Sequence, residues 1–402
     1  MQEKQYSSQR WIIQAMLMLL QIGMGLNFMS VTPLFTLIMS DYDIGRSSVS
    51  LLVSATIIVI TVALLPGGVL IAKIGSKRAM AIAGFLMSAH LLTPLTDSFT
   101  LLVMLRLVFG MGVAISIPTT SAITMEWFKP NELPLLNGIN EAGRALGVSA
   151  GVLIAVPITN IIGWEMTLFS FGVIPLIGTF IWLIGGRSND SSANIEPALS
   201  LRDNIPLMLN RNTLLLATGM AGAFAVFIGF SSWLPAYYNE AQGMTLEQAG
   251  SLVAVMPLTA AVLNPVSGLV QSKLARRKPM LVISGLMLPL FALGSFLLTD
   301  QTIITICVMG LGAMFSIFIV AALTIPMELP GVNASRVAIV TAVILTMGNF
   351  ACVMSPIFVG SLTDFMGSYI PALSILALTP LTLVVAGVFL PETGPRGRPV
   401  TP

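Results

Sequence analysis

Apolar residues along this chain fall in runs of about 20, each long enough as a helix to cross the roughly 30 Å hydrocarbon core of a bilayer. Twelve such runs are read, at about 11–38, 48–72, 78–96, 99–125, 133–158, 164–185, 213–236, 247–272, 279–298, 302–326, 337–361 and 369–390. Short polar segments separate them and supply the helix ends. The alternating segments of about ten residues that mark a transmembrane β-barrel are absent from the sequence. The pattern therefore predicts an all-α integral membrane protein, because lipid offers no partner to backbone groups that a helix leaves open. The first run is too long for a signal-peptide core and no small-residue cleavage pattern follows it, so it is read as a retained span.

The longest polar stretch lies at 186–212 and contains Gly186-Arg187-Ser188-Asn189-Asp190-Ser191-Ser192. It divides the twelve runs into six and six and reads as a flexible cytoplasmic linker. The expected organisation is a six-helix bundle over 1–185, the linker over 186–212, a second six-helix bundle over 213–391 and a tail over 392–402. The halves echo each other in sequence. A glycine-led basic loop, Gly68-Val69-Leu70-Ile71-Ala72-Lys73-Ile74-Gly75-Ser76-Lys77-Arg78, returns as Gly268-Leu269-Val270-Gln271-Ser272-Lys273-Leu274-Ala275-Arg276-Arg277-Lys278. Gly110-Met111-Gly112 answers Gly310-Leu311-Gly312 at an offset of 200, and Met125-Glu126 and Pro33 answer Met327-Glu328 and Pro235 at 202. A near-constant offset points to a duplicated unit and two pseudo-symmetric bundles.

Composition supports lipid as the main solvent. Charged residues make up 9% of the chain, against about 25% in soluble domains, and the mean hydropathy is +0.92. Charge then sets orientation. With a cytoplasmic N-terminus, 16 of the 19 Lys and Arg fall inside, only Arg46 falls outside, and Arg106 and Arg144 lie within spans. That bias follows the positive-inside rule and places both termini in the cytoplasm of a cell-membrane protein. The net charge of +2 is thus a topology signal, and the basic loops are too short and too poor in aromatics for nucleic acid. Cys307 and Cys352 sit in predicted helices and read as packing residues.

Nothing resembles an enzyme site. The sole histidine is His90, no phosphate-binding loop of the form G-x-x-x-x-G-K-[ST] occurs, and no Cys/His cluster has metal spacing. No cofactor or metal is expected. Chemistry is instead expected at the charges inside the membrane, where each is costly unless paired or facing water. Those are Arg106, Glu141 and Arg144. Asn137, Asn140, Glu141 and Arg144 recur at spacings of three and four, so they share one helix face. Beside them runs Gly143, Gly147 and Gly151, a small-residue stripe for close helix packing.

Two accounts of Glu141 and Arg144 stay open: a self-neutralising pair, or an anion anchor with a switchable partner. Arg106 likewise reads either as a cavity residue or as a brace on backbone carbonyls. Aligning Gly143 with Gly348 sets Arg144 opposite the uncharged Asn349, so the halves differ chemically, and two arginines against one glutamate favour a small anion. Weaker candidates are Asn27 and Asn264, the latter followed by Pro265. The aromatics of Trp233-Leu234-Pro235-Ala236-Tyr237-Tyr238 read as an interfacial belt, with an extracellular gate over the site as the alternative, His90 as a packing residue in preference to a proton relay, and the methionines as lipid-facing filler.

At these positions the chain resembles the major facilitator superfamily, over nearly its whole length. The first basic loop is similar to that family's G-x-L-x-D-R-x-G-R-R motif. Arg106-Leu107-Val108-Phe109-Gly110-Met111-Gly112 is similar to R-x-x-Q-G-x-G, Gly163-Trp164-Glu165-Met166-Thr167-Leu168-Phe169 to G-W-R-x-x-F, and Pro391-Glu392-Thr393 to P-E-T. The resemblance implies twelve helices in two bundles, alternating access, and a gating role for the loop residues Gly68, Lys73, Gly75, Gly268 and Lys273. Ala72 and Ser272 stand where the family's loop aspartate belongs, which implies a weaker latch or one made by Lys73 and Lys273 on helix C-terminal carbonyls. Val148 replaces the proline of the drug–antiporter pattern on the helix of Gly143, Gly147 and Gly151. The segments 233–238, 249–252 and 137–138 are faintly similar to the cyanate/nitroimidazole branch.

The resulting expectation is a monomeric secondary transporter of a small organic or inorganic anion. Arg106, Arg144, Asn140, Asn27, Asn264 and Asn349 would contact substrate, and Glu141 would couple protons. Its partners would be the small-molecule substrate, the lipid bilayer and protons. The alternatives are efflux of hydrophobic compounds and a sensor that binds without transporting; the short tail after the last run argues against the sensor.

Overall fold

The computed structural model describes residues 9–128, 133–187, 208–274, 276–328 and 334–392. Among them twelve spans are long and apolar enough to cross a membrane: α1 Gln9–Tyr42, α2 Arg46–Ala63, α3 Ser76–Leu95, α4 Phe99–Thr124, α5 Gly138–Ile162, α6 Trp164–Gly185, α7 Arg211–Glu240, α8 Leu246–Gln271, α9 Lys278–Leu297, α10 Gln301–Ala322, α11 Val343–Met366 and α12 Tyr369–Phe389. No strand occurs among the described residues. The number of spans matches the apolar pattern, and most of the predicted linker (188–207) lies outside the described residues. Asn210 caps α7, its side chain accepting from the Asn212 amide, so the helix starts two residues earlier than the apolar run.

Two compact units form, one from Met1–Asp43 and Leu51–Ile195, the other from Ile44–Ser50 and Glu196–Pro402. Within the first, α1 packs on α5 and α6, α2 on α4, and α3 on α4 and α6. Within the second, α7 packs on α11 and α12, α8 on α10, and α9 on α10 and α12. Adding six to each helix number turns the first set into the second, so the repeat in the sequence is also a repeat in packing. Matching turns accompany it. Gly163 ahead of α6 (φ 82°) and Gly367 ahead of α12 (φ 67°) are both left-handed, and each amide donates to the carbonyl four residues back, at 2.9 and 2.8 Å. A residue with a Cβ is strained in that conformation, so glycine ends the helix before each turn.

Apolar side chains that face away from each unit are left bare, among them Ile161, Ile184 and Phe365, each more than 80% exposed. In water that surface would be unstable; in lipid it is the ordinary outer face of a bundle. The methionines follow the lipid-facing expectation only in part: Met104, Met166 and Met309 are exposed, whereas Met24, Met29, Met80 and Met87 are buried. The flexible thioethers of the buried ones fill gaps between helices.

Proline punctuates the spans. The first is an α-helix over Gln9–Met29, a 3₁₀ turn at Thr32–Leu34 and a helix over Phe35–Tyr42. Pro33 has no amide to continue the ladder, which accounts for the break. The glycines of the repeated motif set close approaches. A Cβ on Gly112 would sit 2.7 Å from the Ala83 carbonyl oxygen on α3, and one on Gly110 2.8 Å from that of Thr56 on α2. In the second unit Gly310 faces the Phe291 ring of α9, and Gly312 faces the Met256 carbonyl of α8.

Candidate functional site

The first unit carries the intramembrane charges, and the two arginines there have different surroundings. The helix Gln9–Met29 ends below Pro33, leaving carbonyls without intrahelical partners. Arg106 of α4 answers them. Its Nη1 donates to the Asn27 carbonyl at 2.8 Å and its Nη2 to that of Phe28 at 2.7 Å. Its Nε donates to the Leu52 carbonyl of α2 at 2.6 Å. The guanidinium lies 5.3 Å from the Phe109 ring centroid, and Nη1 is 3.3 Å from His90 Nε2. With Arg106 donating, that ring nitrogen is the acceptor of a neutral imidazole. Arg106 and His90 are both 0% exposed. Arg106 therefore ties α1, α2 and α4 together, out of reach of any solute in this structure; of its two sequence readings, the geometry matches the brace.

Asn27 is also spent internally. Its Nδ2 donates to the Gly23 and Phe171 carbonyls, both at 2.8 Å, joining α1 to α6. It is 0% exposed, so it too lies in the wall.

Arg144 differs. It pairs with Glu141 one turn earlier on α5, and the two side chains are 31% and 52% exposed. Asn140, next on the same face, is buried and accepts from Gln14 Nε2 of α1 at 2.7 Å. Gln14 Oε1 and Asn140 Nδ2 have no hydrogen-bond partner among the described residues. About two turns along α1 from Gln14, Gln21 Nε2 donates to Thr120 Oγ1 of α4 at 2.8 Å. The first unit thus gathers Gln14, Gln21, Thr120, Asn140, Glu141 and Arg144 from three helices into one polar strip. The spacing of Gln14 and Gln21, seven residues apart in an apolar run, is a same-face signal that sequence reading passed over. The side chain of Asn137, expected on this face, lies outside the described residues.

The strip is held by the glycine stripe. Gly147 and Gly151 of α5 lie against the Ile22 and Leu26 carbonyls of α1, Gly143 lies against Met18, and Gly25 of α1 lies against the Arg144 carbonyl. Backbones meet with no side chain between them, which fixes the register of α1 against α5 and so sets Gln14 opposite Asn140.

In the second unit Asn264 and Asn349 are half-buried, and Asn264 Oδ1 has no partner among the described residues. Gly348 packs on the Phe224 ring of α7. Phe227 and Phe315 stack with centroids 4.0 Å apart, and Phe224 and Phe318 stand edge-on to Phe315. The segment 233–238 is not an interfacial belt. Trp233, Tyr237 and Tyr238 are buried, and Tyr237 and Tyr238 donate to the Phe296 and Ser295 carbonyls at the end of α9, both at 2.6 Å. Orphan helix-end carbonyls draw the hydroxyls inward.

The basic loops are fastened within their own units. Gly75 (φ 83°) opens α3, and Ser76 Oγ donates to Glu126 Oε2 at 3.2 Å. In the second unit the Arg277 amide donates to Glu392 Oε1 at 2.7 Å, giving the carboxylate after α12 a partner in the loop. Gly268 has open space beside it. The side chains of Lys73 and Lys273, and the surroundings of Gly68, lie outside the described residues.

Residues 17–356 match the family model of the Major Facilitator Superfamily. A probable galactarate/D-glucarate transporter of Escherichia coli (strain K12) is 23% identical over 81% of this chain and 81% of its own length. A probable sulfoacetate transporter of Cupriavidus necator is 23% identical over 91% and 90%. A probable nitrate transporter of Staphylococcus haemolyticus is 23% identical over 87% and 88%. Among solved structures, a bacterial homologue of the human lysosomal transporter Spinster superposes with a TM-score of 0.77 at 16% identity, covering 96% of this chain and 95% of that one. A nucleoside transporter superposes at 0.79 with 12% identity, covering 94% and 99%. At such identities the structures establish the fold alone.

Proposed function

The chain belongs to the Major Facilitator Superfamily, a family of solute transporters and not of enzymes, and on that premise we propose that it carries a small organic or inorganic anion across the cytoplasmic membrane by alternating access. Both termini are in the cytoplasm on this reading, by the distribution of basic residues. One observation carries the substrate class: Arg106 is consumed by carbonyls, whereas Arg144 has a partly exposed side chain whose one ion-pair partner among the described residues, Glu141, is more exposed still. An oxyanion that displaces Glu141 gains the planar fork of Arg144. The displaced Glu141 carboxylate is then without its counter-charge and takes up a proton, which couples solute to proton. The relatives named for galactarate/D-glucarate, sulfoacetate and nitrate all handle anions.

The test is a thermal-shift panel of nitrate, sulfoacetate, D-glucarate and D-galactonate on purified protein. A binder at 100 times its Kd stabilises the folded state by about 2.7 kcal/mol. At least one anion is expected to stabilise the wild type and to lose its effect in Arg144→Ala, with a weakened effect in Arg144→Lys. Stabilisation that persists undiminished in Arg144→Ala, or is found with none of the four, counts against the reading. A second reading, efflux of hydrophobic compounds, draws on the half-buried Phe227–Phe315 stack in the second unit. Binding of a hydrophobic cation that survives Arg144→Ala would favour it.

A further inference from the structure

The N-terminal turns of α8 and α10 lie side by side in the second unit. Ser316 Oγ of α10 donates to the Ala260 carbonyl of α8 at 3.1 Å, and Gly312 faces the Met256 carbonyl. Both pairs are 56 residues apart, and a constant offset runs the two helices parallel. The same offset sets Thr245 level with Gln301 and Ala249 level with Thr305. A cavity of about 540 Å³ opens between these turns. Glu247, Gln248, Ser251, Gln301 and Thr305 line it, with Leu252 and Val255 where it runs further along α8. Its volume falls in the range of organic ligands and well above that of a single ion or water.

The hydrogen-bonding state of that lining selects the ligand. Ser251 Oγ donates to the Glu247 carbonyl at 2.8 Å and Thr305 Oγ1 to the Gln301 carbonyl at 2.7 Å. Each hydroxyl hydrogen is thus committed to its own helix, and the oxygen is left to accept. The helix starts are capped from within. Gln248 Oε1 accepts from the Thr245 amide at 3.1 Å and Thr245 Oγ1 from the Gln248 amide at 3.2 Å, a reciprocal cap on α8. Asp300 Oδ1 accepts from the Ile303 amide of α10 at 3.0 Å. Each helix start presents about half a positive charge. Glu247 in the first turn of α8 and Asp300 at the start of α10 outweigh the two together, so this end of the pair is net negative and disfavours an anion. Glu247 is the one ionisable side chain in the lining. It is exposed and makes no ion pair among the described residues. The sequence has no Lys or Arg from 212 to 272 or from 279 to 335, so neither helix brings a counter-charge to it there.

We propose that this cavity binds an organic primary ammonium, its head at Glu247 among the accepting oxygens of Ser251 and Thr305 and its alkyl body on Leu252 and Val255. An ammonium carries three donors and no acceptor, the complement of a carboxylate and two hydroxyls whose hydrogens are already committed. Glu247 and Ser251 lie one turn apart on the same face of α8, so both can address one head group. Leu252 and Val255 offer no ligand to a bare metal ion, whereas methylene groups gain by covering them. The ammonium has two sources, the headgroup of an aminophospholipid or a free alkylamine, because the first turns of two spans lie at the level of the lipid headgroups. The site lies wholly within the second unit and stands whether or not Arg144 of the first unit binds an anion.

Calorimetric titration of the whole protein in phosphatidylcholine nanodiscs tests this, with empty nanodiscs as the blank. The probe is n-hexylammonium, and hexan-1-ol and hexanoate are its neutral and anionic counterparts. Hexylammonium is expected to bind, and the other two are not. Glu247→Gln should weaken binding at least about tenfold, as expected for loss of a hydrogen bond between charged groups, and Glu247→Asp should retain part of the affinity. Ser251→Trp, which fills the cavity and leaves Glu247 in place, should abolish binding; size-exclusion chromatography checks that each variant is folded. Absence of hexylammonium binding, equal binding by wild type and Glu247→Gln, or a preference for hexanoate would overturn the site. Nanodiscs containing phosphatidylethanolamine separate the two sources. A hexylammonium affinity at least about tenfold lower there identifies the lipid headgroup as the occupant, and an unchanged affinity identifies a free amine.

Discussion

Replacing Arg106 by methionine separates a structural arginine from a substrate-binding one. Three backbone carbonyls, of Asn27, Phe28 and Leu52, lose the donor that now satisfies them. Each stranded buried acceptor costs about 1–3 kcal/mol, so the gross loss is roughly 3–9 kcal/mol. Removing the guanidinium offsets part of it, because keeping an ion out of water itself costs several kcal/mol. The net expectation is a destabilisation of about 2–4 kcal/mol, at the upper end of what single substitutions do. Arg106→Lys keeps the charge but cannot span three carbonyls from one nitrogen, so it should fall between. Thermal denaturation of detergent-solubilised protein, followed by size-exclusion recovery, measures the loss. The protein that still folds should bind the same anions with wild-type affinity. Wild-type stability together with abolished anion binding would refute the brace and make Arg106 a ligand.

Three further outcomes follow from contacts of the same kind. Gly147→Val places two methyl groups against the Ile22 carbonyl and should separate α1 from α5, at about 1–3 kcal/mol of overpacking. Cross-linking yield between cysteines at positions 14 and 140 reports the shift, and an unchanged yield would contradict it. Tyr238→Phe leaves the Ser295 carbonyl without its donor and should cost about 1 kcal/mol in thermal stability; a lipid-facing tyrosine would cost nothing. Gln14→Leu leaves Asn140 with neither of its amide functions paired among the described residues. It should lower stability by about 1–3 kcal/mol, and Gln14→Leu/Asn140→Leu should recover most of that in the same denaturation assay.

Helices, their number and the duplication were legible in the chain because lipid enforces them: a span must be apolar, helical and about 20 residues long. The duplication carried over into matched helix packing, α4 on α2 and α3 and α10 on α8 and α9, but not into matched glycine contacts, since Gly110 and Gly112 meet α2 and α3 whereas Gly310 and Gly312 meet α9 and α8. Side-chain partners were less legible. Arg106 reads the same in sequence whether it meets a solute or a carbonyl, and the helix end created by Pro33 supplies two of its three carbonyl acceptors, α2 the third. The aromatics at 233–238 fit an interfacial belt by composition, yet their hydroxyls are drawn to the end of α9, about 60 residues away in the chain. Arg46 stood out only as the exception to the charge rule. Its partners, Glu240, Asp364 and Tyr369, lie on helices from the other half of the sequence, and no local pattern announces them.

The central claim is that Arg144 anchors a transported anion. Counterflow in proteoliposomes loaded with nitrate, sulfoacetate, D-glucarate or D-galactonate tests it most directly. The account predicts exchange of at least one of these anions by the wild-type protein and loss of that exchange in Arg144→Ala, with the folded protein recovered intact. Exchange that persists undiminished in Arg144→Ala, or wild-type protein that exchanges none of the four, would contradict it.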